Sequence, residues 1–509
     1  MKSSIPEAKK RLIVNITSNM LVILTNMAVG VWMTPYLINH LGLKVYGMIP
    51  LVMSFIQYFR IFTTSIANAV TRYVSIYLNK GEVEKGNIYF NSALTALFIL
   101  CGILLIPIAA LSFYFSDIFQ VPAGFEAATE RLFFIVILTS FITVTSACFY
   151  VSPFTMHRFD LYNSILILGK FLQVLIMVLC FTYATPALEY FGLSYFSMAG
   201  LILVSLIILS RHLTPELQIR LNLFDRTAVR DMGHMSMWVI INQTGAILYM
   251  SVSFIVINLF LGPEANGRFG PIAQIVMLLI TFGGTISNTF SPIVYDYIAH
   301  DKKDALAIQI SRSTKYMGLV IAFPVGLLCG LATPLLERWL GPSFSDLGPM
   351  VWLMLGSWLA TLTTKPMFEV FKGFERVKIP AIVTLFVGIL NVCFSIILIY
   401  YTNLGIYGIA ISLLFCLTGK NLFFTPIYTA SLVGQPKMAF IKQTVPGMLT
   451  AAILLMVGLV LSLKYNLASI GGLLIAGMII SLVYILLCYF VFLNKNDKVF
   501  LWSLVLPKN

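Results

Sequence analysis

The sequence predicts an all-α polytopic membrane protein of about fourteen transmembrane helices, built as two six-helix lobes plus two extra C-terminal helices. Three observations predict it. Mean hydropathy is +0.92, with 59% hydrophobic and only 10% charged residues, which excludes a soluble globular protein. Fourteen apolar segments, centred near residues 24, 57, 100, 142, 174, 200, 248, 280, 325, 359, 390, 416, 455 and 481, suit helices that need ~20 apolar residues per crossing. The basic residues are sided. With the N-terminus in the cytoplasm, only Lys44, Arg131, Arg268, Arg338 and Lys464 fall outside and only Arg60 falls mid-membrane; the rest of the 33 Lys and Arg sit at cytoplasmic ends or loops. Both termini are expected inside. The net charge of +13 is then a topology signal, and no nucleic-acid partner is expected.

Met1–Arg11 carries Lys2, Lys9, Lys10 and Arg11 with no small-residue cleavage pattern after it, so the first apolar segment reads as a retained helix. Asn15, Asn19 and Asn26 share a stripe on it. Helix-packing hydrogen bonds and a cavity lining are both open readings there.

The next stretch, Leu41–Lys80, organises the chain. Gly42 and Gly47 open it, and Gln57, Arg60, Thr64, Asn68 and Arg72 recur at three- and four-residue steps, on one face of a helix. A mid-membrane cation costs ~2.5–3.5 kcal/mol on insertion scales, so Arg60 is expected to face a bundle interior or wet cavity. The stretch returns 220 residues later. Leu41, Gly42, Gly47, Phe62, Ile66, Asn68, Val74 and Tyr77 match Leu261, Gly262, Gly267, Phe282, Ile286, Asn288, Val294 and Tyr297 without gaps, while Arg60 meets Ile280. Repeats six crossings apart are of the parallel kind, related by an axis along the membrane normal.

Pro107, Pro122 and Pro153 punctuate helix ends or kinks. In the fifth helix Asn163, Leu166, Lys170 and Gln173 share a face; Lys170 either lines a cavity or snorkels to the interface. The polar run Arg211–Asp231 reads as a linker whose charges are solvated and touch anionic headgroups. The chain thus divides into an N-lobe (1–212), a cytoplasmic linker (213–232), a C-lobe (233–430) and a final pair of helices with the C-terminus (431–509). Gln243 lies in the seventh helix. Gly283-Gly284 in the eighth reads as a close helix approach or hinge. Val151–Asp160 has a looser echo at Lys365–Ile379. Lys365, beside Pro366, is near a cytoplasmic end and open to snorkelling; Lys420 sits deeper and is the better cavity candidate. The last two helices read as a lipid-facing appendage.

Much chemistry is missing. The seven cysteines form no CxxC, the five histidines no HExxH, and there is no phosphate-binding GxxxxGK[ST] or G-x-S-x-G elbow, so no cofactor, metal or enzymatic activity is expected. No Asp or Glu falls near the middle of a span; Asp160, Asp296 and Glu369 all map to cytoplasmic ends. The embedded charges are positive, and the natural cargo is an anion.

The pattern TPYLINHLGLKVYGMIPLVMSF, the stretch Ser65–Lys80, the MHRFDL hairpin and the fourteen-span layout together resemble Wzx-type polysaccharide flippases of the multidrug/oligosaccharidyl-lipid/polysaccharide (MOP) exporter superfamily. The resemblance covers nearly the whole chain through diffuse patterning. It implies a V-shaped, MATE-like pair of lobes in a bacterial inner membrane, moving undecaprenyl-diphosphate-linked oligosaccharide (O-antigen of lipopolysaccharide, capsule or exopolysaccharide units) by alternating access. It also implies partners: membrane lipids, a polysaccharide polymerase and a chain-length regulator. The site assignments come from this sequence. Arg60, Lys170, Lys420 and Lys365 would pair with the diphosphate, Arg60 through bidentate donors, and Asn19, Asn26, Gln57, Asn68 and Gln243 would hydrogen-bond sugars. The alternatives are a small-molecule or drug exporter of the same superfamily, marked by a cavity carboxylate, a membrane glycosyltransferase or polymerase, marked by a large outward loop, and a non-transporting scaffold.

Overall fold

The structure, a computed structural model, describes residues 5–465, 467 and 469–493. Among these residues every regular element is helical. The spans are α1 (Ile5–Leu41), α2 (Met48–Asn79), α3 (Val83–Phe113), α4 (Glu126–Thr155), α5 (Phe159–Tyr183), α6 (Leu188–Leu213), α7 (Arg226–Leu261), α8 (Pro263–Ala299), α9 (Lys303–Gly330), α10 (Pro342–Gly373), α11 (Lys378–Tyr401), α12 (Tyr407–Val433), α13 (Ile441–Lys464) and α14 (Ile470–Phe492). Thirteen are long and apolar enough to cross a membrane. The other, α2, is a continuous helix of 32 residues, about 48 Å at 1.5 Å per residue. The fourteen expected crossings are all present as helices. Exposed tyrosines follow or close the C-terminal ends of several odd-numbered helices (Tyr114, Tyr183, Tyr400, Tyr401, Tyr465), the residue type enriched at membrane interfaces.

The helices pack as two compact units, Met1–Pro271 with Thr384–Val392, and Ile272–Val383 with Cys393–Asn509. The 220-residue echo is visible inside them. Gly42 and Gly262 hold the same place before α2 and α8, each with positive φ (77° and 84°), a turn only glycine enters without strain. α4 breaks at Tyr150 ahead of Pro153, and α10 breaks at Thr364 ahead of Pro366. After each break a polar pair joins the short helix to its neighbour. In the first copy it is Ser75 with Thr155 (2.6 Å); in the second, Tyr295, which lies 220 residues after Ser75, donates to Glu369 (2.8 Å).

Small residues set the tightest crossings. In the second unit α9 and α13 run side by side: a Cβ on Gly447 would lie 2.6 Å from the Gly318 carbonyl carbon, and one on Gly458 would strike the Gly330 backbone. The lipid-facing reading of the last two helices therefore fits only part of the pair. α13 is seated on α9, and α14 adds a Tyr484 hydroxyl bond to the Leu319 carbonyl (3.2 Å) while exposing Leu474, Met478, Leu482 and Ile485. Gly458→Leu should destabilise the protein by about 3 kcal/mol or more, read as a lower Tm in detergent, whereas Gly471→Leu, with open space around it, should not.

The linker's arginines Arg220, Arg226 and Arg230 are exposed, and its backbone is strapped to α3. Asn87 donates to Glu216 O and accepts from Gln218 N (both 2.8 Å). Asn91 donates to Gln218 O (2.8 Å) and accepts from Arg220 N (2.6 Å). Ser92 accepts from Asp225 N (2.8 Å). Asp225 then caps α7 by accepting from Thr227, whose hydroxyl and N–H hold that carboxyl below its usual range. Asn91 is fully buried, so Asn91→Ala leaves two linker backbone groups unpaired. At about 1–3 kcal/mol per orphaned group, it should speed tryptic cleavage at Arg220 well before the helices are cut.

Candidate functional site

The first unit presents a polar layer between α1 and α5. These helices run parallel, tied at one end by Asn163, which donates to Asn19 Oδ1 (2.8 Å) and Ser18 Oγ (2.9 Å), and at the other by the Tyr36 and Phe181 rings, 5.8 Å apart. The two ties have nearly the same sequence offset, so equal helical rise puts Asn26 at the level of Lys170. Lys170 Nζ donates to Gln173 Oε1 (2.8 Å), and Gln173 is 1% exposed. Asn15 and Asn19 thus serve packing, since Asn15 also accepts from Asp160 N (3.2 Å). Asn19 and Asn26 nevertheless remain exposed along a span. An amide facing hydrocarbon is costly, which favours a wet surface at that level.

On α2, the single helix puts Gln57, Arg60 and Asn68 on one face as the spacing required. Gln57 is half-buried and Asn68 exposed; the Arg60 side chain lies outside the described residues. Gln243, on α7, is half-buried. α2 packs against α4 and α7 within the same unit.

The second unit gathers its cations on interrupted helices, the feature that marks binding sites in many transporters. α8 breaks between Asn288 and Ser291, α10 at Thr364, and α12 passes through a π-turn at Lys420–Phe424 just ahead of Pro426. The proline cannot donate to the turn before it, and one residue of extra winding absorbs the misfit. Lys420, at the start of that π-turn, is 8% exposed, with its ammonium 5.4 Å from the centre of the Phe368 ring. Asn421 fixes the turn by donating to Thr361 Oγ1 (2.8 Å) and accepting from Thr425.

Lys365 lies with its Nζ only 2.9 Å from where a Cβ on Gly284 would be, so Gly284 leaves the room that this ammonium occupies. Gly283 supplies the close approach that was expected, against Leu362 and Ile321.

Sequence reasoning placed Glu369 at a cytoplasmic end but missed its burial and its partners: four residues from the end of α10 it is 5% exposed, Lys372 donates to one oxygen and Tyr295 to the other, both at 2.8 Å, and Ser291 bonds it as well. The signal was available as Lys365, Glu369 and Lys372 at helical spacing, one face of a single short helix. Two lysines against one glutamate leave the segment net cationic. A cavity of about 260 Å³ elsewhere, between the linker and α3, α4 and α6, is lined by Phe90, Phe149, Arg211 and Leu217 and by none of Lys170, Lys365, Glu369 and Lys420. Among the described residues no cluster of metal-ligating side chains occurs.

The profile of the family described as polysaccharide biosynthesis protein matches residues 12–293. An uncharacterized membrane protein of Bacillus subtilis (strain 168), EpsK, is 28% identical over 487 residues, covering 95% of this chain and 96% of that one. The lipid II flippase MurJ, in an inward closed conformation, superposes with a TM-score of 0.64 at 13% identity, covering 94% of this chain and 99% of MurJ. An inward-facing MATE family multidrug transporter of the MOP superfamily superposes with a TM-score of 0.61 at 15% identity, covering 87% of this chain and 98% of that one. These likenesses fix the fold as that of the MATE and MurJ transporters. The match of the profile to more than half of the sequence settles the family: the chain belongs to the polysaccharide biosynthesis protein family.

Proposed function

We propose that this protein flips a polyprenyl-diphosphate-linked oligosaccharide, with undecaprenyl as the carrier, across the bacterial inner membrane by alternating access, both termini being cytoplasmic. The observation that carries this reading is the placement of lysines within the spans. Lys170 sits in a polar layer of one unit, and Lys420 is buried on the π-turn of the other, with Lys365 on the adjoining broken helix. Burying an ammonium costs several kcal/mol, and an anionic cargo brought beside it would offset part of that cost. A diphosphate supplies that anion, and its own desolvation is the barrier a flippase must lower. Arg60, Gln57, Asn68, Asn19, Asn26 and Gln243 extend the polar surface to diphosphate and sugars, while the polyprenyl tail stays in lipid. Membrane lipids, a polymerase and a chain-length regulator are the partners this role calls for.

Glu369 bears on the drug-exporter alternative, which calls for a carboxylate. Its two oxygens are occupied by Lys372 and Tyr295, so it stands as a local counter-ion and not as a seat for a cationic drug. Deleting the gene in its host and assaying surface glycan tests the proposal. Loss of glycan restored by the intact chain supports it, and unchanged glycan in the deletion strain overturns it.

A further inference from the structure

The cavity of about 260 Å³ beneath the linker joins apolar walls to a cationic rim. Phe90 of α3 and Phe149 of α4 are buried, with their rings edge to face at 5.6 Å, and Ile207, Pro215, Leu217 and Ile219 complete the apolar lining. No acidic side chain lines it, and two of its three polar side chains are already engaged. Ser210 is hydrogen-bonded to Ser152 (2.7 Å), and the Gln218 side-chain carbonyl accepts from Arg220. The third, Arg211, is exposed in the last turn of α6 and has no partner among the described residues.

The cavity lies at the depth of a membrane interface. Phe90 is seven residues past the start of α3 at Val83, and Ile207 is six residues short of the end of α6 at Leu213. At 1.5 Å per residue, each is about 10 Å from a helix end. That is comparable to the ~5–10 Å over which interfacial elements sink into the headgroup and acyl boundary. The linker is built for the same boundary, since Ile219 and Phe224 are exposed beside the exposed Arg220, Arg226 and Arg230. Apolar groups exposed between cations suit an anionic bilayer surface.

These walls select the occupant. A sugar, nucleotide or peptide backbone would leave its polar groups unpaired against them. An apolar chain with an anion at one end fits. A phosphodiester carries one negative charge and matches the single guanidinium, whereas a diphosphate-linked glycan brings more charge and many hydroxyls. We propose that the cavity is a binding site for an anionic glycerophospholipid, with one acyl chain against Phe90, Phe149 and Leu217 and its phosphate on Arg211. The site is distinct from Lys170, Lys365 and Lys420 and independent of what the carrier moves. An acyl chain packed against Leu217 and Ile219 also supports the linker that Asn87 and Asn91 hold to α3, so lipid binding stabilises the connection between the two copies of the repeat.

The test uses the purified full-length chain, delipidated in detergent, where no charged bilayer surface attracts lipid. Phosphatidylglycerol and phosphatidylcholine are titrated in, and retained lipid is counted by native mass spectrometry. Phosphatidylglycerol is expected to be retained in preference and to raise Tm. Arg211→Gln, at an exposed position, is expected to weaken its retention about fivefold or more. Ile207→Trp, which fills the cavity and keeps the charge, is expected to weaken it by a similar factor. Arg226→Gln, on the same linker but outside the cavity, is expected to change neither retention nor the Tm gain. Glycerol phosphate, the headgroup without the chains, is expected not to displace the lipid.

Equal retention of the two lipids, full retention by Arg211→Gln, or an equal loss with Arg226→Gln overturns the proposal. Displacement by glycerol phosphate overturns the acyl-chain seat, and tighter retention of undecaprenyl diphosphate than of phosphatidylglycerol overturns the assignment in favour of a cargo entrance. If Ile207→Trp fails to accumulate, Arg211→Gln and glycerol phosphate decide between them. No readout involves glycan export, so failure here leaves the flippase reading standing, and failure of that reading leaves this site standing.

Discussion

Lys420→Glu is expected to abolish glycan export at normal membrane abundance, Lys420→Gln to lower it roughly 10- to 150-fold, and Lys420→Arg to keep a readable fraction. The range follows from the ~1.5–3 kcal/mol attached to a charge-assisted hydrogen bond, at 1.36 kcal/mol per factor of ten. The side chain is buried at a π-turn and stacked on Phe368, so it is held in place and not swept through solvent. On the proposed reading, a neutral residue there would remove the pairing, and a negative one would also repel the diphosphate. Surface glycan in a complemented deletion strain, normalised to membrane-bound protein, reads all three.

The second large effect is expected at Arg60. Arg60→Glu is expected to eliminate export and Arg60→Gln to lower it as far as Lys420→Gln does, while Arg60→Lys, which retains charge but loses the bidentate fork, is expected to fall between. Full export with Arg60→Glu would assign the α2 polar face to packing. Because Arg60 lies in the first copy of the repeat and meets Ile280 in the second, placing an arginine at Ile280 is not expected to rescue any of these variants.

The helices were legible because hydropathy is a local property. Twenty apolar residues bounded by lysines at one end declare a span wherever it packs, and Pro153, Pro366 and Pro426 mark breaks that any helix would suffer. The repeat was legible through glycines, since Gly42 and Gly262 both need a backbone that few other residues enter. What stayed hidden depends on neighbours. Glu369 looks like an interfacial residue on its own helix; its burial and its bond from Tyr295 depend on α8 and other helices packing against it. Asn87 and Asn91 read as ordinary polar positions at the start of α3; that they bind the linker backbone follows from where the chain returns more than a hundred residues later. The Asn15 and Asn19 stripe was open between packing and cavity, and the bonds to Asp160 N and from Asn163 supply the packing half of the answer. For the cationic positions, sequence named Lys170, Lys365 and Lys420. It did not foresee that the last two sit on interrupted helices, with Gly284 vacated for one and Phe368 set beneath the other.

The most direct measurement is flipping by the purified protein in liposomes. A fluorescent oligosaccharide on a polyprenyl diphosphate is placed in both leaflets, and a membrane-impermeant quencher is added outside. The protein is predicted to make the inner-leaflet pool quenchable far faster than in empty liposomes, with Lys420→Glu returning the rate to that of empty liposomes. Quenching no faster than in empty liposomes, together with export of a small cationic dye by the same preparation, would contradict the account.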